Sequence, residues 1–355
     1  MDYWLSILLG ISWLVSVLSF LPAFDIQHWT FRIMDFIRLQ VLGILIILLI
    51  LLSIFSGTHF ILETSTKIGL FAAIVYQLKV VLPYFPIGRK QNPKSSNAIS
   101  LLSVNVLQKN TDYYRLIQRI RKVNPDIILT LESNKSWENA LSEIERDYAF
   151  SHKAAKENRY GLHFYTRLEV KNCTGHELIS AEHPSVEIEL RDDQGNDFLF
   201  WGVHPPPPSP TEKPTSKQKD AELMAVAKRI RSSQLPVIVS GDFNNVCWSR
   251  SSKLFTKITD LIDARIGRGF HGSFPVRPRI FRFPIDLLFH SESIKIHSIK
   301  TLEDIGSDHL PLYSIFSVPK NEDAAKSKPI SKETKEIVQD MIREGKKVAP
   351  EENID

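Results

Sequence analysis

Pro236-Val237-Ile238-Val239-Ser240-Gly241-Asp242-Phe243-Asn244 runs from an uninterrupted apolar stretch into a glycine, a carboxylate and an amide. Aliphatic residues without polar alternation read as a strand covered on both faces. A carboxylate at the end of such a strand is expensive to bury unless a cation, a proton partner or hydrogen-bond donors compensate it. The same pattern recurs where Ile127-Ile128-Leu129-Thr130-Leu131 ends in Glu132, and Phe283-Pro284-Ile285-Asp286-Leu287-Leu288-Phe289 encloses Asp286. Gly306-Ser307-Asp308-His309-Leu310-Pro311 then sets a carboxylate beside an imidazole. A turn residue in water is an adequate reading of any one of these acids, but not of all of them together.

Working outward, residues 99–107 read as a strand and 112–122 as a helix with Leu116, Ile117 and Ile120 on one side. A strand at 126–131 and a helix at 137–148 complete an α/β opening. The middle changes character, because 162–165, 185–190 and 198–203 are strand-like without intervening helices and are joined by Gly, Asn and Asp turns. A helix at 216–231, a strand at 237–240, a helix at 249–257 and strands at 285–289 and 312–318 follow. Mixed sheets with helices outside predict a four-layer α/β/β/α sandwich over residues 98–318. Residues 88–97 read as a polar linker, and 319–355, rich in Lys and Glu, as a flexible charged tail with one candidate amphipathic helix at 331–344. No internal repeat is apparent.

Residues 1–87 read as a membrane anchor. Three apolar stretches, 3–21, 39–55 and 68–85, have the length of a bilayer-spanning helix. Lys79 lies within the third, whose rival reading is a soluble amphipathic helix; the rival for the first is a cleaved signal peptide, against which stands the lack of a basic region ahead of it. Arg32 and Arg38 in the first loop and Arg89, Lys90 and Lys94 after the third span outnumber Lys67 in the second loop. The excess of basic residues predicts that the C-terminal domain lies on the cytoplasmic side of a cell inner membrane. Two cysteines, Cys173 and Cys247, are too few for a disulfide framework and lack metal-site spacing. A net charge of +4 over 355 residues argues for no particular polyanion.

In the order Asn105, Glu132, Gly161 to Arg167, His204, Gly241-Asp242-Phe243-Asn244, Asp286 and Ser307-Asp308-His309, these motifs resemble the endonuclease/exonuclease/phosphatase, or DNase I-like, superfamily. Leu131 stands where the family usually has Gln, and Thr166 where it has Ser. His204 with the prolines after it, the Arg-Ile-Gly-Arg-Gly-Phe segment at 265–270 and the N-terminal spans are similar to the membrane-anchored bacterial YafD-like branch. The resemblance implies a divalent-metal-dependent phosphoesterase using Mg²⁺, with Mn²⁺ as a substitute. It implies metal binding by Glu132, Asn105 and Asp308, with Asp242 deprotonating or orienting the attacking water and Asn244 fixing it. His309, oriented by Asp286, would donate to the phosphate, and His204 would bind it from the other side.

Two further segments border this set. Pro205-Pro206-Pro207-Pro208-Ser209-Pro210 is stiff and extended, a candidate lip of the cleft and a less favoured docking site for a proline-binding partner. Arg265, Arg268, Arg279 and Arg282 lie in a basic, aromatic-bearing stretch that suits substrate phosphates, with a solvated loop as the alternative. Three functions are consistent with the sequence: a membrane-anchored hydrolase of nucleic acid, a lipid or inositol phosphate hydrolase with the same site, and a non-enzymatic membrane scaffold. Every matched catalytic position holds the expected residue type, which disfavours the scaffold. No protein partner is identifiable.

Overall fold

The computed structural model describes residues 3–349 apart from 25, 27, 56, 58, 87–96, 208–214 and 321–327. The chain divides into two units, Met1–Phe85 and Pro86–Asp355. The first is helical: α1 (Tyr3–Ser19), α2 (Trp29–Phe36), α3 (Arg38–Ile54) and α4 (Phe60–Val81). Tyr3–Ala23 and Phe60–Tyr84 are long and apolar enough to cross a membrane. A third crossing would need Thr30–Phe36 and Arg38–Ile54 to act as one span bent by 77°. At 22 residues α4 is about 33 Å long. It begins at Phe60, ahead of the predicted start, where the Glu63 carboxylate accepts the N–H of the N-cap residue His59 and that of Gly57 before it.

Arg38 is not a loop charge, as the sequence suggested. It is 2% exposed, pairs with Asp35 at 2.8 Å and donates to the Gln77 amide oxygen at 2.6 Å. Gln77 in turn donates to the Ser19 carbonyl at 2.9 Å, so the buried guanidinium, through Asp35 and Gln77, ties all four helices together. Arg89, Lys90 and Lys94, which weighed in the orientation, lie outside the described residues.

In the second unit, runs of aliphatic residues become strands and amphipathic stretches become their covering helices. The order is β1 (Ile99–Asn105), α5 (Tyr113–Val123), β2 (Ile127–Leu131), α6 (Lys135–Glu145), β3 (Phe150–Ala154), β4 (Leu162–Thr166), β5 (Glu169–His176), β6 (Ser185–Arg191) and β7 (Asp197–Val203). Then come α7 (Lys217–Ile230), β8 (Val237–Asp242), α8 (Arg250–Thr259), β9 (Ile262–Asp263), β10 (Asp286–His290), β11 (Lys295–Thr301), β12 (Leu312–Ser317) and α9 (Lys332–Val348). One six-stranded sheet has the order β11-β12-β1-β2-β4-β3, the other β5-β6-β7-β8-β10-β9.

The inner faces of the two sheets bury Leu129, Phe164, Ile188, Phe200 and Leu288 against one another, with the rings of Phe164 and Phe200 5.1 Å apart. Each such side chain contributes about 1.5–3 kcal/mol on burial. On the outside of the first sheet, Leu116 and Ile120 of α5 and Trp137 and Leu141 of α6 cover Leu102 and Ile128. On the second, Phe255 of α8 packs edge-on against Phe243 and tilted against Phe289. The layering is the expected α/β/β/α sandwich.

The strand pairing directs the site. Only β1 with β2 and β7 with β8 are parallel; the other neighbours run antiparallel. The C-terminal ends of the two parallel pairs therefore share an edge with the N-terminal ends of β10 and β12. Asp286 lies directly opposite Asp242 in the β8–β10 ladder, and Leu312 opposite Ser103 in β1–β12.

Strands β3, β5, β9 and β11, absent from the sequence reading, are the four sheet edges. An edge strand needs no continuous apolar run: β5 is exposed along much of its length, and a bulge between Ile296 and Ser298 breaks the alternation of β11. The tail carries α9 over residues 332–348, where the amphipathic helix at 331–344 was expected, capped by the Ser331 hydroxyl accepting the Thr334 N–H. The helix lies on α7 with Val338 buried, and Gly345 permits the approach: a Cβ there would stand 2.2 Å from the Ala221 Cβ.

At the site-forming edge, Gly241 has φ +152°, and a Cβ on it would stand 1.9 Å from the Val203 carbonyl oxygen of the neighbouring strand. Gly241→Ala is therefore expected to destabilise the second unit by about 1–3 kcal/mol or more, seen as a lower urea midpoint. An unchanged midpoint would show that β7 and β8 part without cost.

Candidate active site

Asn105 ends β1 and Glu132 follows β2, both on one sheet; His204 follows β7 and Asp242 ends β8 on the other. Asp286 opens β10, and Ser307, Asp308 and His309 lie in the turn that leads into β12. Glu132 and Asn244 hold positive φ values of +59° and +46°, as does Leu107 at +58°. Left-handed backbone at residues other than glycine costs of order 1–3 kcal/mol each, and here three such residues stand on strand-end loops, where they turn side chains toward the common edge.

Asp242 is the hub, 1% exposed. Its Oδ1 accepts the Asn244 N–H at 2.9 Å and its Oδ2 the Asn105 amide N–H at 3.1 Å. Nε2 of His309 stands 3.6 Å from Oδ2 and Nε2 of His204 3.7 Å. On its other side His309 offers Nδ1 to Asp286 Oδ2 at 2.8 Å. Asp242, Asp286 and His309 thus bring three potential ligand atoms within 4.8 Å of one another. The 2.8 Å contact between Asp286 and His309 makes this a carboxylate–imidazole–carboxylate relay, with Asp286 holding the ring.

Burial opposes the charged form of His309, but the carboxylates of Asp286 and Asp242 outweigh it and push the ring up to about 10. Burial raises Asp242 to about 7 against the pull of His309. His204 is pushed the other way, down to about 3, by burial and by the neighbouring His309 and His183. At neutral pH the site therefore sets an imidazolium beside a neutral imidazole, with a carboxylate of near-neutral pKa between them.

The Glu132 carboxylate accepts the Asn105 amide N–H at 3.0 Å and the Gln108 backbone N–H at 3.1 Å. Burial raises its pKa, those hydrogen bonds oppose the rise, and nearby Asp308 adds to it. Neither Glu132 nor Asp308 has a Lys or Arg ion pair among the described residues. Two acids close together without a basic partner suit a hard divalent cation, so the residues fit such an ion. Asn105, expected as a third ligand, is oriented otherwise: its Oδ1 accepts the Leu107 N–H at 3.0 Å while Nδ2 bridges Glu132 and Asp242. In this arrangement it fixes two carboxylates. Asn244 donates its amide to the Pro205 carbonyl at 3.0 Å, tying the start of the proline run to the site. Pro205 and Pro206 are buried, and Pro208, Ser209 and Pro210 lie outside the described residues.

The arginines expected to bind substrate do not act as a group. Arg265 is fully buried and paired through two nitrogens with Asp263 at 3.1 Å. Arg268 donates to the carbonyls of Ala264 and Ile296, and Arg282 to those of Pro275 and Val276. Arg268 and Arg282 brace the backbone and Arg265 is held by a carboxylate; Arg279 is exposed. Composition marked the stretch as basic, and only the fold reveals which guanidiniums turn inward.

Some residues had no role in the sequence reading. Ser307 donates to the Asn105 carbonyl at 2.8 Å and accepts the His309 N–H at 3.1 Å, so it locks two motifs together. The Phe274 ring lies 4.7 Å from the His309 ring, and the Tyr160 ring 5.1 Å from His204. Ser307 was visible as the first residue of Ser-Asp-His and Phe274 as an aromatic of the basic stretch; Tyr160 gave no sequence signal. Asp286→Asn removes the charge that holds the imidazolium, so the His309 pKa is expected to fall from about 10 toward or below the ordinary histidine range. Histidine ring NMR over a pH series reads this directly, and an unmoved titration would refute the ion pair.

No curated protein sequence matches this chain significantly. Among solved structures, D. rerio TDP2 complexed with a single-strand DNA product superposes with a TM-score of 0.54 at 15% identity, covering 63% of this chain and 100% of that one. The human Nocturnin catalytic domain with bound sulfate gives 0.51 at 15% identity, covering 63% and 96%. An endonuclease/exonuclease/phosphatase from Beutenbergia cavernae gives 0.53 at 13% identity, covering 67% and 76%. At these identities the structures establish a shared fold. The sequence profile of the Endonuclease/Exonuclease/phosphatase family matches residues 102–309, more than half of the chain, from within β1 to His309; the chain belongs to that family of metal-dependent phosphoesterases.

Proposed function

We propose that this protein is a membrane-anchored phosphoesterase that hydrolyses its substrate by attack of water, with Mg²⁺ as its cofactor and Mn²⁺ as a substitute. The observation that carries the reading is the ring of nitrogens around one buried carboxylate oxygen, Asp242 Oδ2, beside the acid pair Glu132 and Asp308. Asp242 accepts a proton from the attacking water as its oxygen bonds to phosphorus, and the bond to the leaving oxygen breaks on the opposite side. A base whose pKa lies near 7 is matched to this transfer at neutral pH. His309, held charged by Asp286, donates to a non-bridging phosphate oxygen, where negative charge accumulates. His204, kept neutral, offers one N–H from the other side. Asn105 holds Asp242 and Glu132 at a fixed separation, and Asn244 fixes Asp242 through its backbone N–H.

Glu132 and Asp308 would hold the divalent cation, which when bound supplies positive charge to the phosphoryl and leaving oxygens. The helices of the first unit support tethering to a membrane, which we place at the cell inner membrane with the second unit on the cytoplasmic side. This machinery recognises the phosphoester itself, and nucleic acid is its default substrate. The rim selects the rest of the substrate, and a lipid or inositol phosphate enters through it, a reading favoured by the exposed apolar side chains of Ile280 and Phe281.

The test is Mg²⁺-dependent release from a soluble phosphodiester, DNA, RNA, phospholipid and inositol phosphate by the full chain in detergent. Asp242→Asn and His309→Ala should each lower turnover by about 10²–10⁴-fold. Near-normal turnover by either variant would overturn the roles assigned to Asp242 and His309. Glu132→Gln should instead raise the Mg²⁺ concentration needed for half-maximal activity, read by metal titration, while the fold stays intact.

A further inference from the structure

Beside the site, residues 274–283 form a hairpin closed by the Phe274–Phe283 bridge. Its base is fixed to the catalytic turn: the Val276 N–H donates to the Asp308 carbonyl at 2.9 Å, the Leu310 N–H to the Ser273 carbonyl at 2.9 Å, and Phe274 lies against His309. Arg282 turns inward onto the carbonyls of Pro275 and Val276 and braces the turn. The tip is different in kind. Ile280 is 71% exposed and Phe281 48%, and Arg277 and Arg279 beside them are exposed.

Large hydrophobic residues this exposed are scarce in the second unit. Among its described residues the others are Tyr114 and Ile337, each alone. Two consecutive ones at the tip of a braced turn form a patch, and such patches mark interaction sites. An aliphatic Ile neither stacks on bases nor makes hydrogen bonds, which argues against a nucleic-acid contact. An Ile-Phe pair flanked by arginines matches a lipid surface, where apolar side chains enter the acyl boundary and guanidiniums meet phosphates. The chain carries helices of membrane-crossing length, so a bilayer is a surface it meets at high effective concentration.

We propose that the turn at 277–281 is a membrane-docking element that seats on an anionic phospholipid bilayer, with Ile280 and Phe281 inserted and Arg277 and Arg279 on the headgroup phosphates. Docking stands without reference to catalysis. Its consequence, that the site acts on phosphoesters presented at the lipid–water boundary, rests on the proposed hydrolase function.

The experiment places an environment-sensitive fluorophore at Ile280→Cys in the full chain with Cys173→Ser, reconstituted in nanodiscs of phosphatidylcholine or of phosphatidylcholine with phosphatidylglycerol. A control label goes at Glu292→Cys, exposed beyond the far end of β10. Acyl-chain spin labels should quench the Ile280 position several-fold more than the control. The quenching should be stronger with phosphatidylglycerol, and Arg277→Gln with Arg279→Gln should abolish that dependence. A label that stays equally open to aqueous iodide in both bilayers overturns the proposal. So does a label that responds to a single-stranded oligonucleotide but not to lipid, which would assign the turn to a polymer substrate.

A parallel assay keeps docking and hydrolysis apart. Ile280→Ser with Phe281→Ser should leave hydrolysis of a soluble phosphodiester unchanged while lowering hydrolysis of a bilayer-borne phosphoester several-fold. If the native chain cleaves neither, the hydrolase reading fails, and the quenching still decides the docking.

Discussion

A carboxylate buried as fully as Asp242 needs compensation, and the surrounding structure supplies it from both sheets. Its two oxygens take one backbone N–H and one amide N–H, and two imidazoles stand just beyond hydrogen-bonding distance. Removing water strengthens these interactions and makes any unpaired member costly. The gap between the imidazoles and Oδ2 leaves the carboxylate oxygen within reach of a reacting group while it stays electrostatically supported. The same desolvation that threatens the fold raises the pKa of Asp242 and lowers that of His204, so one physical cause sets a carboxylate of near-neutral pKa beside a neutral imidazole.

The backbone meets this demand through topology. Each sheet contains one parallel pair, and parallel strands bring their C-terminal ends to the same edge, where Asn105, Glu132, His204 and Asp242 emerge. The antiparallel partners β10 and β12 then add Asp286 and His309 from their N-terminal ends. Local strain is concentrated at the same edge, in the positive φ values of Leu107, Glu132 and Asn244 and in the close strand approach that Gly241 allows. The large apolar cluster between the sheets over-determines the strand positions, which is what permits strained loops at their ends.

The helical unit solves a related problem with other means. Arg38 and Asp35 are both nearly inaccessible, and Gln77 links them to the end of α1. A charge read from the sequence as solvent-facing is thus part of the helix packing. The arginines of 265–282 behave alike: burial pairs Arg265 with Asp263 and points Arg268 and Arg282 at carbonyls, leaving Arg277 and Arg279 on the surface. Positive charge in a sequence does not distinguish an internal brace from a binding surface, because both use the same donors.

What the sequence determined by itself was the central strands, the covering helices and the identity of the polar residues at the strand ends. Two-sided burial forces continuous aliphatic runs, and a charge that interrupts or ends such a run stands out. The edge strands β3, β5, β9 and β11 were not legible, since one open side relaxes the requirement for apolar alternation, whereas α9 was legible as an amphipathic helix but not its packing on α7. Only the tertiary structure decided that Asn105 bridges two carboxylates, that Ser307 couples two motifs, and that Phe274 and Tyr160 line the histidines. Those contacts join residues far apart in the chain, and their distances follow from how two sheets pack.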